Sequence, residues 1–313
     1  MRYYMNPTKP NRKYLIIGCD KRLSHLGHLL KQDGYFVSFI NDSTDPLLKD
    51  SLFDDSSSSN KLSSLPRPDI IVLPTPCISQ VDNSRVITGT GLECTKLLSV
   101  IQDWCQDYKA QNTLEPLPPS MFVCGGCIPD DFGKSLEASG VMVFDFMKSD
   151  SFAQFNTIAT AEGAIAEAIT LSPVNLHDSP CLILGAGKCA KALALRLKAL
   201  NTRPTMCART VLARMEAAVL GMNSTEFSKL PDILPNFLFI FNTVPAPVLD
   251  ASLLKFVHKE CTIIDIASRP GGTDFSYCEA HKIRAKLCSS LPGTYAPFST
   301  ANELLKLIYQ LNN

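Results

Sequence analysis

The sequence has no excess of either charge, since 30 Lys and Arg residues stand against 30 Asp and Glu residues in 313 positions. A neutral chain lacks the electrostatic footprint of nucleic-acid or anionic-membrane binding. No apolar run approaches the ~18 residues of a membrane-spanning helix. The segment from Met1 to Arg12 is polar, contains proline and lacks the apolar core of a signal peptide. The sequence therefore predicts a cytoplasmic protein with a small-molecule partner and neither a nucleic-acid nor a membrane partner.

The chain also lacks the cysteine pattern of a disulfide framework or a zinc site. Its twelve cysteines are scattered over a long chain rather than packed into a short secreted one. Cys124-Gly-Gly-Cys127 is a single C-x-x-C, and no second pair stands at the spacing that structural zinc requires. We expect a reducing compartment, no metal, and a glycine turn at Cys124 to Cys127.

Apolar runs alternate with helical stretches along the whole chain, which is typical of parallel sheets. We predict an α/β protein made of two Rossmann-like, doubly wound parallel-sheet domains. A flavodoxin- or Rossmann-like substrate-side domain is expected over residues 1–150, and an NAD(P)-binding Rossmann domain over 151–313. A long Ala-rich helix from Phe152 should join them, and a last helix from Thr300 to Leu311 should return to the first domain. The Ser- and Asp-rich segment 41–68 is expected to be a surface loop.

The most informative segment is a short apolar run that leads into a Gly-x-Gly-x-x-Ala turn and then a helix. In such a turn the first glycine allows the tight bend, the second lets the backbone approach a pyrophosphate, and Ala190 keeps the helix close to the sheet. The alternative is a glycine-rich turn that binds nothing. The predicted cofactor-binding residues of this turn are Gly185, Ala186, Gly187 and Lys188.

No acidic residue stands at the end of the next strand, where NAD-binding proteins place the carboxylate that receives the ribose hydroxyl. The chain has Arg209 and Thr210 there instead. An Arg could bind the extra phosphate of NADP as a bidentate donor, and the Thr as a neutral one. The sequence therefore favours NADP and leaves NAD open, unless Arg209 is only a solvated residue.

Two further loops follow predicted strands of the second domain, and loops at carboxyl strand ends face the ligand in open sheets. We expect these loops to contribute cofactor contacts from Asn242, Thr243, Val244 and Pro245, and from Ala267 and Ser268. Arg269 is predicted to bind a substrate carboxylate, because its fork matches both oxygens. The alternative is a structural Arg paired with Asp265 or Asp274.

Two more residues are candidates for the chemistry. Glu162 lies in Thr160-Ala-Glu-Gly163, where we expect the interdomain helix to border the cleft, and it could accept a proton. The alternative is a Glu that only caps the helix or interacts with its dipole. Thr75, between two prolines at the end of a first-domain strand, could line the substrate side. Together with Arg269 they form the predicted catalytic set.

The run Ile264-Asp-Ile-Ala-Ser-Arg-Pro-Gly-Gly-Thr-Asp-Phe275, followed by Leu291-Pro-Gly293, resembles the dipicolinate synthase A subunits of spore-forming bacteria. The resemblance extends to the Thr160 to Gly163 segment, the glycine turn, Ala208-Arg209 and Asn242-Thr243. It covers essentially the whole second half and, more loosely, the first strand with Gly18 and Asp20. It implies oxidation of dihydrodipicolinate, a small dicarboxylate, to dipicolinate during sporulation, with a nicotinamide cofactor. It also implies the flavoprotein-like B subunit of dipicolinate synthase as a partner. A homo-oligomer stays open.

Two other functions fit the same residues. A 2-hydroxy-acid dehydrogenase would share the two-domain layout and Arg269, but Leu291-Pro-Gly293 stands where such an enzyme carries its proton-accepting His. A subunit that binds NADP without catalysis would also show the glycine turn. Oxidation of a dihydropyridine needs no alcohol deprotonation, which agrees with the missing His.

Overall fold

The computed structural model describes residues 12–41, 55–57, 59–111 and 121–311. Contacts divide the chain into two units, one that ends at Ala153 and resumes at Pro297, and one that runs from Gln154 to Ala296. The division falls inside the helix Asp150–Leu171, a few residues after the boundary expected at residue 150. The last helix, Pro297–Leu311, groups with the first unit.

The first unit contains a six-stranded parallel sheet and a separate antiparallel hairpin. Its strands are β1 (Lys13–Ile17), β2 (Phe36–Ile40), β3 (Asp55–Ser57), β4 (Ile70–Val72), β5 (Ile78–Val81), β6 (Ser84–Ile87), β7 (Phe122–Gly125) and β8 (Met142–Asp145). The sheet has the order β3-β2-β1-β4-β7-β8, and β5 pairs with β6. β3 and a 3-10 helix at Ser59–Ser64 lie in the segment that was expected to be a loop. The rest of that prediction, residues 42–54 and 58, lies outside the described residues.

Helices cover this sheet because each of them carries one apolar face. They are Lys21–Gln32, Cys94–Gln111, Asp130–Ala138, the start of Asp150–Leu171, and Pro297–Leu311. The first buries Leu23, Leu26 and Leu30, three or four positions apart, which is the spacing of one helix face. These side chains share a core with Leu304 and Ile308 of the last helix. The C-terminal helix therefore completes the core of the unit in which the chain begins.

The second unit has its own six-stranded parallel sheet. Its strands are β9 (Pro180–Leu184), β10 (Arg203–Cys207), β11 (Asn223–Thr225), β12 (Phe239–Asn242), β13 (Thr262–Asp265) and β14 (Arg284–Leu287). Their order is β11-β10-β9-β12-β13-β14, and every pair is parallel. From β9 the chain adds strands in one direction as far as β11, and from β12 it adds them in the other direction as far as β14, so the strand order reverses between β9 and β12. Sheets of this kind bind ligands at that point, beyond the carboxyl ends of their strands.

The helices of the second unit pack on both faces of this sheet around two apolar cores. They are the rest of Asp150–Leu171, then Lys188–Ala199, Val211–Val219, Leu230–Ile233, Ala251–Leu254, Phe275–Ala280 and Leu291–Tyr295. The predicted fold class, two doubly wound parallel-sheet units, is confirmed. Within the described part of the chain, no helix is both long and apolar enough to cross a membrane.

Candidate functional site

The glycine turn, Gly185 to Gly187, follows β9 directly. Gly185 has a φ of +111°, a conformation that side chains rarely adopt, and a Cβ there would stand 2.3 Å from the Oγ1 atom of Thr243. Its amide donates to the carbonyl of Cys207 at 2.9 Å. The turn is thus fixed between the ends of β10 and β12, and only glycine fits its first position.

Gly187 differs from Gly185 because its surroundings are open. It is exposed, no heavy atom lies within 4 Å of the position that a Cβ would take, and it precedes the helix Lys188–Ala199 with no side-chain cap. Ala186 is half-buried, Lys188 is exposed at the first helical position, and Ala190 is fully buried against the core. An open backbone at an uncapped helix N-terminus fits a diphosphate, since the first amides of a helix have no intrahelical partners.

Thiols next to this turn add no negative charge. Burial raises the pKa of the Cys207 thiol to about 12, and burial also raises the pKa of Cys189, the second residue of the helix. Both groups are protonated at neutral pH. An anion at the turn therefore meets no thiolate from these two residues.

The loop after β12 fits the cofactor prediction only in part. Asn242 is fully buried, and its amide bonds to the backbone of Val244 and to Asp265, so it shapes the loop and is not exposed to a ligand. Thr243 donates its hydroxyl to the carbonyl of Leu184 at 2.8 Å. Val244 is half-buried and Pro245 is exposed. Direct contact with a ligand is thus a prediction only for the three residues after Asn242.

Asp265 has a structural role that no sequence pattern indicated. Its carboxylate is fully buried and accepts four hydrogen bonds of 2.8 to 3.0 Å. The donors are Nδ2 of Asn242, the amides of Ala267 and Gly272, and Oγ1 of Thr273. Asp265 thereby fastens the loop after β12 to both ends of the loop that carries Arg269.

Arg269 projects from that loop into solvent. It is exposed, as are Ser268 and Pro270, whereas Ala267 is buried. Among the described residues it has no ion-pair partner, and neither Asp265 nor Asp274 binds it. The structure thus shows neither of the two pairings offered as the alternative, and the exposed guanidinium lies on a firmly anchored loop.

Arg209 and Thr210 follow β10, beside the glycine turn. Both are exposed. The Thr210 hydroxyl oxygen accepts a hydrogen bond from the amide of Ala213 and caps the helix Val211–Val219. The hydroxyl oxygen can still donate its proton to a ligand, and both side chains are exposed. Phosphate binding by Arg209 and Thr210 stays a prediction.

Glu162 belongs to the long helix on which it was expected. It lies in the middle of the helix Asp150–Leu171, and its side chain is 58% exposed. Its carboxylate lies 3.6 Å from Nε of Arg196. The role of Glu162 as a proton acceptor stays a prediction.

Thr75 follows β4 in the first unit and is half-buried. Its side chain lies against Gly126, where a Cβ would stand 2.1 Å from Oγ1 of Thr75. Its carbonyl accepts a 3.1 Å hydrogen bond from the buried Arg22, which is paired with Asp20. The position of Thr75 is thus firmly fixed, and its contact with a substrate stays a prediction.

Comparison with known proteins gives one relative by sequence. No protein-family profile matches the chain. The dipicolinate synthase A subunit of Bacillus subtilis (strain 168) is 32% identical over 166 residues, 52% of this chain. The aligned segment spans only 56% of that relative's length.

Solved structures align over almost the whole chain. The dipicolinate synthase A subunit of Bacillus halodurans gives a TM-score of 0.76 with 24% identity and covers 96% of this chain and 97% of its own. This chain is similar to the dipicolinate synthase A subunit. The resemblance inferred from the sequence is thereby confirmed. D-lactate dehydrogenase of Salmonella shares the fold, with a TM-score of 0.63, 12% identity, and coverage of 96% and 97%. The chain therefore has a dehydrogenase-type fold.

Proposed function

We propose that this chain is an NADP-dependent oxidoreductase that converts dihydrodipicolinate to dipicolinate and acts with a second, flavoprotein-like subunit. The observation that carries the proposal is the open Gly187 at an uncapped helix N-terminus, on a chain similar to the dipicolinate synthase A subunit. Because the sequence match spans about half of that relative, substrate, partner and a role in sporulation all belong to the proposal.

The residues around the glycine turn fit a nicotinamide dinucleotide. Gly187 leaves its backbone free for a diphosphate, and Thr243 and Val244 border the turn from the neighbouring strand end. When bound, the dinucleotide supplies a hydride acceptor. The protein's contribution is to bind and orient, which for positioned reactants accounts for a large part of a rate enhancement.

Arg269 is the proposed substrate residue. Its exposed guanidinium matches the two oxygens of a carboxylate, and dihydrodipicolinate carries two carboxylates. The Asp265 hydrogen bonds hold the loop on either side of it, so the guanidinium starts from a fixed backbone. The substrate loses a hydride and a proton as its ring becomes aromatic. No strong dedicated base is needed for that proton, because it leaves as the aromatic ring forms.

A 2-hydroxy-acid dehydrogenase is the second candidate, favoured by the likeness to D-lactate dehydrogenase. Such an enzyme needs a His oriented toward the substrate hydroxyl. The helix Leu291–Tyr295 stands after β14 in its place, and His281 is exposed and stacks on Tyr277. The physical arrangement thus favours the first candidate. A subunit that binds NADP without catalysis is the third.

The test is turnover by the purified chain, alone and with a candidate second subunit. Dihydrodipicolinate and NADP should give NADPH and a product with the ultraviolet absorption of an aromatic pyridine. Arg269→Gln should raise KM about tenfold or more, because one bidentate charge-assisted pair is lost. The control is Arg203→Gln. Arg203 is the first residue of β10, at the end of the strand away from the glycine turn, and pairs with Asp178, so this variant should leave KM unchanged.

Three outcomes discriminate between the candidates. Turnover of D-lactate or a related hydroxy acid, with none of dihydrodipicolinate, would support the second candidate. Tight dinucleotide binding without turnover in the presence of the second subunit would support the third. Equal KM values for Arg269→Gln and the unaltered chain would remove Arg269 from the substrate site.

A further inference from the structure

The turn from Ala208 to Thr210 lies directly beside the glycine turn, because the carbonyl of Cys207 accepts the amide of Gly185. Ala208 is buried and its amide donates to the carbonyl of Thr225 at 3.0 Å. Arg209 and Thr210 are exposed. A ligand that occupies the glycine turn and extends along the sheet edge would reach this pair next.

The Arg214 side chain forms hydrogen bonds with the backbone of this turn. Its Nη1 atom donates to the carbonyls of Ala208 at 2.9 Å and Arg209 at 3.0 Å, and its side chain is only 21% exposed. One guanidinium nitrogen thereby donates to two successive carbonyl oxygens of the turn. The backbone that carries the Arg209 side chain is thus fixed by a second arginine.

The charges at the turn are unequal. The Arg209 guanidinium lies 6.0 Å from the centre of the Phe227 ring and, among the described residues, has no ion-pair partner. Nη2 of Arg214 lies 3.8 Å from Oε2 of Glu226, a half-exposed carboxylate that follows β11. Among the described residues, the guanidinium groups of Arg209 and Arg214 thus have one carboxylate between them, Glu226, and it pairs with Arg214.

We propose that Arg214 and Glu226 together set the preference of this site for a dinucleotide with a phosphate monoester on its adenosine ribose. Arg214 is a positioning residue that fixes Arg209 and adds positive charge. Glu226 reduces that charge. A phosphate monoester carries a charge of about −1.5 to −2 at neutral pH and responds to both residues, whereas an uncharged ribose hydroxyl responds to neither. The inference rests on the proposed dinucleotide-binding function.

The test compares NADPH and NADH binding to the full chain by fluorescence titration. Arg214→Gln should weaken NADPH about tenfold and NADH less than about twofold, because a charge and the anchor of Arg209 are both lost. Glu226→Gln should tighten NADPH about two- to fivefold and leave NADH unchanged, since Arg214 is then no longer neutralised. Added salt should diminish both effects. Arg203→Gln, on the same strand but at its other end, is the control and should change neither ligand.

The opposite signs of the two variants separate this inference from a structural role. If the Arg214–Glu226 pair only stabilised the fold, both variants would lower the melting temperature and weaken the two ligands alike, and the inference would be overturned. Glu226→Gln keeps the test valid if Arg214→Gln does not fold. Equal binding of NADPH and NADH to the unaltered chain would overturn this inference and leave the proposed function standing. Failure of both ligands to bind would overturn both.

Discussion

The Nδ2 atom of Asn242 donates a 2.9 Å hydrogen bond to Oδ2 of Asp265, and both side chains are fully buried. The bond joins the ends of β12 and β13, two neighbouring strands whose loops face the same edge of the sheet. Since Asp265 also accepts two amides and a hydroxyl from the loop that carries Arg269, this one carboxylate determines the shape of both loops.

Replacement of Asp265 by Asn should therefore be costly. An amide offers one acceptor oxygen and turns an N–H₂ group toward buried donors, so at least one of them loses its partner. We expect a loss of about 2–4 kcal/mol in the free energy of unfolding, measured by urea denaturation. The matched control is Asp274→Asn, an exposed helix cap where Asn serves as well as Asp. Equal losses in the two variants would contradict the assigned role of Asp265.

The two glycines of the turn should respond differently to alanine. Gly187→Ala meets no neighbouring atom, so its melting temperature should equal that of the unaltered chain, while NADPH binding should weaken about tenfold because the methyl group occupies the approach of the diphosphate. Gly185→Ala should weaken binding and also destabilise the fold, since it combines a positive φ with a clash against Thr243. Calorimetry and titration on both variants provide the comparison. Unchanged NADPH affinity in Gly187→Ala would place the diphosphate elsewhere.

Cys127 should be the first thiol to react in the native chain, and slowly. The twelve cysteines all lie among the described residues, none of them in a disulfide, and Cys127 is the exposed one. Burial of its sulfur, followed by the nearby Asp145 carboxylate, raises the pKa of Cys127 above its ordinary value. Only the thiolate is nucleophilic, so iodoacetamide labelling should accelerate about tenfold for each pH unit between about 7 and 9. Mass spectrometry should find one modified site, and Cys127→Ser should remove it. A rate independent of pH would refute the assignment.

Tyr309 should stabilise the first unit below about pH 10. Its hydroxyl donates to Oδ2 of Asp33 at 2.6 Å, and burial together with this carboxylate raises the pKa of Tyr309. An unfolded chain releases the phenolic proton near about pH 10, so this contribution is present below that pH and is lost as the pH rises above it. Tyr309→Phe should cost about 1 kcal/mol at neutral pH. Its stability, measured by urea denaturation, should also fall less steeply in alkali, and an identical pH profile in both proteins would disprove the coupling.

The sequence was sufficient for the elements that carry their own pattern. β9, the glycine turn and the following helix were predictable because an apolar run, two glycines and an Ala-rich stretch follow one another. β3 and β11 were not. Each is a three-residue edge strand made of Asp, Ser, Asn or Thr. Such a strand forms because it pairs with a neighbouring strand that is distant in sequence, and the local sequence does not indicate that pairing.

The candidate site shows the same limit. Arg209 and Arg269 were predicted as site residues because arginines after predicted strands have a clear chemical use, and the structure shows that both are exposed. Asp265 was missed as a structural centre since its partner Asn242 is 23 positions away and its other donors are mostly backbone amides. The ion pair of Glu162 with Arg196 was not predictable, because Arg196 belongs to another helix.

The helix Pro297–Leu311 supplies Leu304 and Ile308 to the core of the first unit, and the second unit is inserted before it. During synthesis on the ribosome, the inserted unit has all of its strands once Leu287 has emerged from the exit tunnel. The first unit, although translated earlier, lacks part of its interior until the final helix follows. The part of the chain made first is therefore the last that can finish folding.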